Sequence, residues 1–290
     1  MNQLKFISTI LTLLLIVFAK AQSIEKFSID SGGASASTGG IEILYTIGEV
    51  NVQELNAGGI IVSEGFINPI QLQVTLNPKL FLQGPINAPV SAGLMNDDLR
   101  VGGFLPTTSP YTDGLTVNAS VFTPTGSDAI VDWVWVELRD GLDNSIIIEA
   151  KSALLQRDGD VVDIDGVSAV SFNQSSGNYF VAINHRNHLG IISAIPVALS
   201  SGTTTVDLSS DPLAVLGGTN AVVDMGAGIY AIYGGDFNGD GQILNTDITS
   251  VLLITGTSGY SNGDADLNGQ ILNTDIQLII QPNSGKGQQY

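Results

Sequence analysis

The chain has 290 residues, of which 43% are hydrophobic and 13% are charged, so it can form a folded core. Acidic residues outnumber basic ones by 28 to 10, which argues against a nucleic-acid-binding surface and against attraction to an anionic membrane. The absence of cysteine excludes disulfides and thiolate chemistry, and two histidines leave little material for a histidine-rich metal site. The excess of carboxylates instead suits a hard divalent cation such as calcium.

The first 21 residues have the pattern of a secretory signal peptide. Lys5 is followed by an apolar run from Phe6 to Ala19, and Ala19-Lys20-Ala21 fits the small-x-small cleavage rule. We expect cleavage after Ala21 and a secreted or cell-surface protein. No later segment is long and apolar enough to predict a membrane span in the mature chain.

Residues 22–75 predict a small β stalk domain, with strands at 26–30, 41–50 and 59–66. The Gly/Ser-rich stretch 31–40 is interpreted as the connection between the first two strands. About 50 residues make only a small core, so this segment is expected to act as a stalk or to lean on its neighbour.

Residues 76–232 predict a mainly β domain, an antiparallel β-sandwich. Short runs rich in Val, Ile, Thr, Tyr and Trp alternate with turn residues, and no helical pattern separates them. The predicted strands are 80–83, 115–122, 129–139, 145–150, 160–164, 178–184, 191–199, 203–208 and 227–233.

Residues 234–290 contain a tandem duplication. Residues 235–248 recur 28 positions later as 263–276, and the heptapeptide Gln-Ile-Leu-Asn-Thr-Asp-Ile is identical in both copies. We number each loop from its first aspartate, so that Asp236 and Asp264 are position 1. Each copy then places oxygen-bearing residues at positions 1, 3, 5 and 12, with glycine at position 6 and a backbone carbonyl available at position 7. This is the spacing with which a curled loop surrounds calcium. The predicted ligands of two Ca²⁺ ions are Asp236, Asn238, Asp240, Gln242 (backbone) and Asp247, and Asp264, Asp266, Asn268, Gln270 (backbone) and Asp275.

A short amphipathic helix is predicted after each loop. Apolar residues recur at i, i+3 and i+4 in both copies, as Ile248, Val251 and Leu252 and as Ile276, Ile279 and Ile280. These helices favour a folded calcium-binding module and argue against the alternative, a pair of Asp/Asn/Gly-rich turns that bind no metal.

The two loops, Asp-x-Asn-x-Asp-Gly and Asp-x-Asp-x-Asn-Gly, each with aspartate at position 12 and a single following helix, resemble dockerin modules. The resemblance implies a small α-helical, EF-hand-like module over residues 234–290 that attaches secreted proteins, often polysaccharide-degrading enzymes, to cohesin partners. Dockerins commonly carry a polar ligand at position 9, whereas this chain has Leu244 and Leu272 there. The partner therefore stays open between a cohesin-like protein and an intramolecular contact with the chain's own sandwich domain.

A looser resemblance connects the chain with secreted multi-module surface proteins of the Bacteroidetes, often described as hemagglutinin- or adhesin-like. It rests on the Gly/Ala/Ser stretch at 32–40 with the following 44–49, on 81–85, and on 184–190. It indicates an origin more than a mechanism.

Residues 157–166 form a dense acidic stretch with Asp158, Asp160, Asp163 and Asp165. The carboxylates could bind a third calcium ion, but their spacing does not follow a calcium loop, and the valines between them favour a strand edge with turns. The turn is the preferred interpretation.

Trp133 and Trp135 share one face of a predicted strand, where they could stack on sugar rings or be buried under a neighbour; burial is favoured. His185 and His188 are expected to point to opposite faces of a strand, which is poor zinc geometry; the alternative is a turn after Asn184 that brings them together.

The sequence has no Gly-x-Ser-x-Gly, no phosphate-binding loop and no His-Glu-x-x-His, which leans against an enzyme. The favoured interpretation is an exported, non-catalytic, calcium-binding interaction protein that attaches through its C-terminal module. The alternative is a carbohydrate-active protein that binds or hydrolyses a polysaccharide and is attached through the same module.

Overall fold

A computed structural model describes residues 73–290 continuously and, before them, four strands within 32–63. The chain divides into two compact units, Met1–Ile70 and Gln71–Tyr290. The predicted signal peptide, residues 1–21, lies outside the described residues, as does the predicted strand at 26–30. In the part of the chain that is described, no helix has the length and apolar character needed to cross a membrane.

The described residues of the first unit form two antiparallel strand pairs. Strand β1 (Gly32–Thr38) pairs with β2 (Ile41–Ile47), and β3 (Glu54–Ala57) pairs with β4 (Ile60–Ser63). The stretch predicted as a connection is therefore mostly a strand, and this prediction was wrong. The Ile-rich partner supplies a continuous ladder, and the Gly-Gly dipeptide between the paired segments is a sequence that favours a two-residue hairpin.

The second unit is mainly β. Its strands are β5 (Val74–Lys79), β6 (Phe81–Leu82), β7 (Ile130–Asp140), β8 (Ile147–Gln156), β9 (Val161–Val162), β10 (Val170–Phe172), β11 (Gly177–His185), β12 (His188–Ile192), β13 (Val197–Leu199), β14 (Thr203–Asp207), β15 (Val222–Asp224) and β16 (Tyr230–Ile232). Its helices are α1 (Gln83–Ile86), α2 (Asp98–Val101), α3 (Asn245–Leu252) and a π-helix (Asp275–Ile280), with 3₁₀ turns at Ala119–Phe122, Gly126–Asp128, Pro212–Ala214 and Gly218–Asn220.

The largest sheet has the order β12-β11-β7-β8-β9, with β13 also paired to β11, and all its pairs are antiparallel. Two smaller sheets, β10-β5-β14 and β15-β16-β6, each contain one parallel pair. The antiparallel prediction is confirmed for the main sheet. It missed the parallel pairs because residue periodicity within a strand does not specify the direction of its neighbour. The sheets are open, an arrangement consistent with a β-sandwich.

The predicted strand at 115–122 was wrong. Its second half is the 3₁₀ turn Ala119–Phe122, where the side chain of Asn118 accepts a hydrogen bond from the amide of Ser120 at 2.9 Å. An asparagine that caps its own chain in this way competes with a strand ladder.

Strand β7 is buried on both faces rather than on one. It lies between β11 and β8 in the main sheet, and Trp133 is 0% exposed, with its indole Nε1 donating to the carbonyl of Pro106 at 2.9 Å. The ring of Tyr111 lies 5.6 Å from that of Trp135, which is half-buried. The favoured burial is confirmed for Trp133, so the two indoles do not form an exposed pair for sugar stacking.

The C-terminal repeats lie in the same compact unit as the β domain. A small second core joins them to it: Leu189 of β12 and Tyr233 next to β16 share a buried cluster with residues of both repeats. The members from the repeats are Ile243, Val251, Ala265, Ile271, Ile276, Ile279 and Ile280. The predicted boundary between residues 232 and 234 is therefore crossed by buried apolar contacts.

Candidate metal centre

The two C-terminal loops share two hydrogen bonds at position 1, and Asp236 accepts a third from the amide of Gly239 at 2.9 Å. The Asp236 carboxylate accepts from the amides at positions 5 and 6 of the first loop, at 3.1 and 2.9 Å. The Asp264 carboxylate accepts from the same two positions of the second loop, at 2.9 and 2.8 Å. Each loop is therefore curled around its first aspartate.

The aspartate at position 12 closes each loop in the same way. Asp247 accepts from the amides at positions 2, 3 and 9 at 3.0, 3.3 and 2.8 Å. Asp275 accepts from the equivalent amides at 2.7, 3.2 and 2.8 Å. The bond to position 9 is half of a capping box, so one carboxylate ends the loop and begins the helix that follows. The first predicted helix is present as α3, whereas the second is a π-helix in which the amide of Gln281 donates to the carbonyl of Ile276 at 2.7 Å.

Positions 3 and 5 pair an asparagine with an aspartate, in opposite order in the two loops. The amide nitrogen Nδ2 of Asn238 donates to Asp240 at 2.8 Å, and that of Asn268 donates to Asp266 at 3.0 Å. The side chains at these two positions are therefore in contact in both loops.

Positions 6 and 7 complete the turn. Gly241 and Gly269 have φ of 80° and 82°, in the left-handed region that favours glycine. The Gln242 and Gln270 side chains are exposed, and their backbone amides donate to the side chain at position 5 at 2.9 and 2.8 Å.

The carboxylates converge most closely in the second loop. Asp264, Asp266 and Asp275 each offer an oxygen, and these oxygens lie within 4.8 Å of one another. Within residues 73–290, no other group of three or more His or acidic side chains meets this criterion. The oxygen-only donor set fits calcium, which takes several oxygen ligands at about 2.3–2.6 Å.

Burial and neighbouring negative charge raise the pKa of these carboxyls. The pKa rises to about 8 for Asp264 and about 6 for Asp266, first because burial disfavours the charged form and then because the other carboxylates repel it. The pKa of Asp236 rises to about 6 for the same two reasons. A cation in the loop would relieve this repulsion.

The acidic stretch 157–166 is not a comparable cluster. Asp160 forms an ion pair with Lys79 at 3.2 Å, and Asp163 forms one with Lys151 at 2.7 Å. The carboxylates serve separate partners around the short strand β9, which agrees with the preferred interpretation as turns.

His185 and His188 do not point to opposite faces, so this prediction was wrong. Arg186 and Asn187 form the turn between β11 and β12, in which the two histidines are paired residues. Their Nδ1 atoms lie 3.1 Å apart, and both rings are buried. The strand is broken by this turn after Asn184, which was the alternative to the favoured interpretation.

Next to the histidines lies a buried charge pair that no sequence motif indicated. Asp132 of β7 accepts from Arg186 Nε at 3.0 Å and from the Tyr260 hydroxyl at 2.7 Å, and His185 Nε2 lies at 3.2 Å. Burial alone would raise the pKa of Asp132, but Arg186, His185 and Tyr260 hold it at about 2. The signal was an aspartate within the otherwise apolar first part of β7, residues 130–136.

This cluster contacts the start of both repeats. The Asn187 side-chain amide donates to the backbone carbonyls of Asn262 and Asp264 at 3.0 and 2.7 Å. The backbone carbonyl of Asn187 accepts from the amide of Gly235 at 2.8 Å. Arg186 donates to the carbonyl of Ser261. We call the cluster the polar joint; its members are Asp132, His185, Arg186, Asn187, His188 and Tyr260.

No family model and no curated protein matches the chain. Among solved structures, it is similar to chains of two interface mutants of a type II cohesin–X–dockerin complex from Acetivibrio cellulolyticus. The N-terminal-interface mutant is 15% identical with a TM-score of 0.35 over 74% of this chain and 96% of that one. The C-terminal-interface mutant is 16% identical with a TM-score of 0.37 over 73% and 96%. Scores this low do not establish a common fold.

Proposed function

We propose that the chain is an exported, non-catalytic interaction protein whose C-terminal loops each bind one Ca²⁺ ion. The observation that carries this proposal is the similarity of the two loops. In both, the carboxylate at position 1 accepts from the amides at positions 5 and 6, and the carboxylate at position 12 accepts from the amides at positions 2, 3 and 9. Turns that merely happened to be rich in Asp, Asn and Gly would not be expected to share these bonds.

Calcium suits this donor set because every side chain offered at positions 1, 3, 5 and 12 carries oxygen. When bound, the ion would neutralise carboxylates that otherwise repel one another. The chain's own contribution is to hold the aspartates at positions 1 and 12 by backbone amides, so that their orientation is set before an ion arrives.

Calcium titration of the full chain by calorimetry tests this part of the proposal. We expect two ions per chain, with dissociation constants within about 10⁻⁷–10⁻⁴ M. Asp236→Asn and Asp264→Asn should each remove one ion, whereas Asp224→Asn, at an exposed aspartate of the β domain, should retain both. The absence of calcium binding at millimolar concentration would contradict the proposal.

The proposed attachment surface is formed by the start of each C-terminal helix. Residues 244–246 and 272–274 are the same tripeptide, Leu-Asn-Thr, and all six residues are exposed. Packing of the repeats on the β domain thus leaves both copies accessible to a protein. By the dockerin resemblance, the partner we propose is a cohesin-like module.

Retention on immobilised cohesin modules, with and without calcium, tests the attachment. We expect calcium-dependent retention that is lost when Asn245, Thr246, Asn273 and Thr274 are all replaced by alanine. No retention, or retention unchanged in this variant, would contradict the cohesin-like partner. Calcium-dependent retention on an insoluble polysaccharide instead would favour the carbohydrate-binding alternative.

A further inference from the structure

The two loops share most of their hydrogen bonds but have different surroundings. In the first loop, Asn238, Gly239 and Asp240 are exposed. In the second loop, Ala265 and Leu267 are buried, at 0% and 1% exposure. The first copy of the duplicated motif therefore faces solvent, whereas the second copy is enclosed by the β domain.

Leu267 carries the clearest sign of this difference. It occupies position 4 of the second loop with φ of 60°, and its side chain belongs to the main hydrophobic core, together with Leu82 and Trp133. Its counterpart in the first loop, Gly239, has φ of 70° and is exposed. A leucine in the left-handed region is strained, and here the strain accompanies the burial of a large apolar side chain.

The backbone of the second loop also fits closely against the β domain. A Cβ on Gly84 of α1 would lie 1.9 Å from the carbonyl oxygen of Ala265, so no larger residue fits there without a shift. A Cβ on Gly269 would lie 2.5 Å from the ring of Phe104. The loop is thus held on one side by α1 and on another by the segment after α2.

Leu267 lies between two of the proposed ligands, Asp266 at position 3 and Asn268 at position 5. The conformation that inserts Leu267 into the core is the conformation that gathers the carboxylates of Asp264, Asp266 and Asp275 within 4.8 Å. Repulsion among these carboxylates opposes that conformation, and a divalent cation favours it.

We propose that the second loop is a calcium-dependent latch, in which the ion holds Leu267 in the core of the β domain and so fastens the repeats to it. The ion in the first loop stabilises its own repeat without controlling this contact. This inference rests on the proposed calcium binding and adds that the two sites have different roles.

The tryptophans provide a readout that is separate from calcium binding itself. Both tryptophans of the chain, Trp133 and Trp135, lie in β7, and neither is in the repeats. Thermal unfolding of the full chain followed by tryptophan fluorescence therefore reports on the β domain. We expect calcium at about a hundred times its dissociation constant to raise this midpoint by about 5–10 °C.

Matched variants at position 1 separate the two loops. Asp236→Asn should retain most of the calcium-induced shift, and Asp264→Asn should lose it, although each keeps a side-chain oxygen for the loop amides. Leu267→Gly, which copies the residue of the first loop, should still bind two ions in calorimetry but lose most of the shift.

The outcomes distinguish the latch from the proposed function. If the unaltered chain binds no calcium, the proposed function fails and the latch fails with it. If it binds two ions but the tryptophan midpoint does not move, the latch alone is overturned. Equal loss of the shift in Asp236→Asn and Asp264→Asn, or a full shift in Leu267→Gly, also overturns the latch.

Discussion

The side-chain amide of Asn187, in the turn between β11 and β12, donates a hydrogen bond to the backbone carbonyl of Asp264 at 2.7 Å. One residue of the β domain thus contacts the first residue of the second candidate metal-binding loop. It also donates to the carbonyl of Asn262 at 3.0 Å, so both donors of this buried amide are used on the repeat. These hydrogen bonds connect the main β sheet directly to the candidate metal centre.

Replacing Asn187 by alanine should destabilise the chain by about 1–3 kcal/mol, because two carbonyls lose their donor in a buried place. Urea unfolding followed by tryptophan fluorescence measures this free energy. The exposed Asn173 provides the control, since Asn173→Ala should leave the midpoint almost unchanged. Equal effects of the two substitutions would show that Asn187 does not stabilise the contact.

Removing the Asp132 carboxylate should lower the free energy of unfolding by more than Asn187→Ala does. Asp132→Ala leaves Arg186 buried without its anion, which typically costs about 3–5 kcal/mol. The double variant Asp132→Ala, Arg186→Ala should lose less than the sum of the two single variants. As a control, Asp160→Ala breaks the partly exposed pair with Lys79 and should cost less than about 1 kcal/mol. Additive losses at Asp132 and Arg186 would contradict the assigned pairing.

Low pH should reduce the stability of the folded chain, because it favours protonation of the two buried histidines of the polar joint. Burial lowers the pKa of His185, and it lowers the pKa of His188 further with the help of His185 and Arg186. A depressed pKa contributes stability that is present above the unfolded value of about 6.5 and lost as pH falls below it. In saturating calcium, the stability advantage of the unaltered chain over His188→Gln should therefore shrink between pH 7 and pH 5. Parallel stability curves would contradict this.

Without calcium, the second loop should respond to pH in the opposite direction. The pKa of Asp264 is raised to about 8, above its unfolded value of about 3.9, so its contribution is present at low pH and lost as pH rises through about 8. In calcium-free buffer, the stability of the unaltered chain relative to Asp264→Asn should fall from pH 5 to pH 9. Thermal midpoints of both proteins measure this, and a constant difference between them would refute it.

The curled shape of the two loops could be predicted because it is local. Asp236 and Asp247 lie within 12 consecutive residues, so their spacing alone indicates that they serve one loop, and the helices that follow have a clear apolar period. The main antiparallel sheet was predictable for a similar reason, since each strand carries its own pattern of β-branched and aromatic residues.

The polar joint could not be predicted, because Asp132, Arg186 and Tyr260 are brought together only by the fold. The burial of the second loop did leave a local signal. Position 4 is Gly239 in one copy and Leu267 in the other, and an apolar residue within a calcium loop has no role unless it is buried. Comparing the two copies for their differences, as well as for their identities, would have found it.

The most direct test of calcium binding is a crystal structure of the chain grown with calcium, with anomalous difference maps calculated from the data. We predict two anomalous peaks, one inside each loop, with ligands from Asp236, Asn238, Asp240, Gln242 and Asp247 and from Asp264, Asp266, Asn268, Gln270 and Asp275. Loops that retain the hydrogen bonds described above but hold no ion at millimolar calcium would contradict the account.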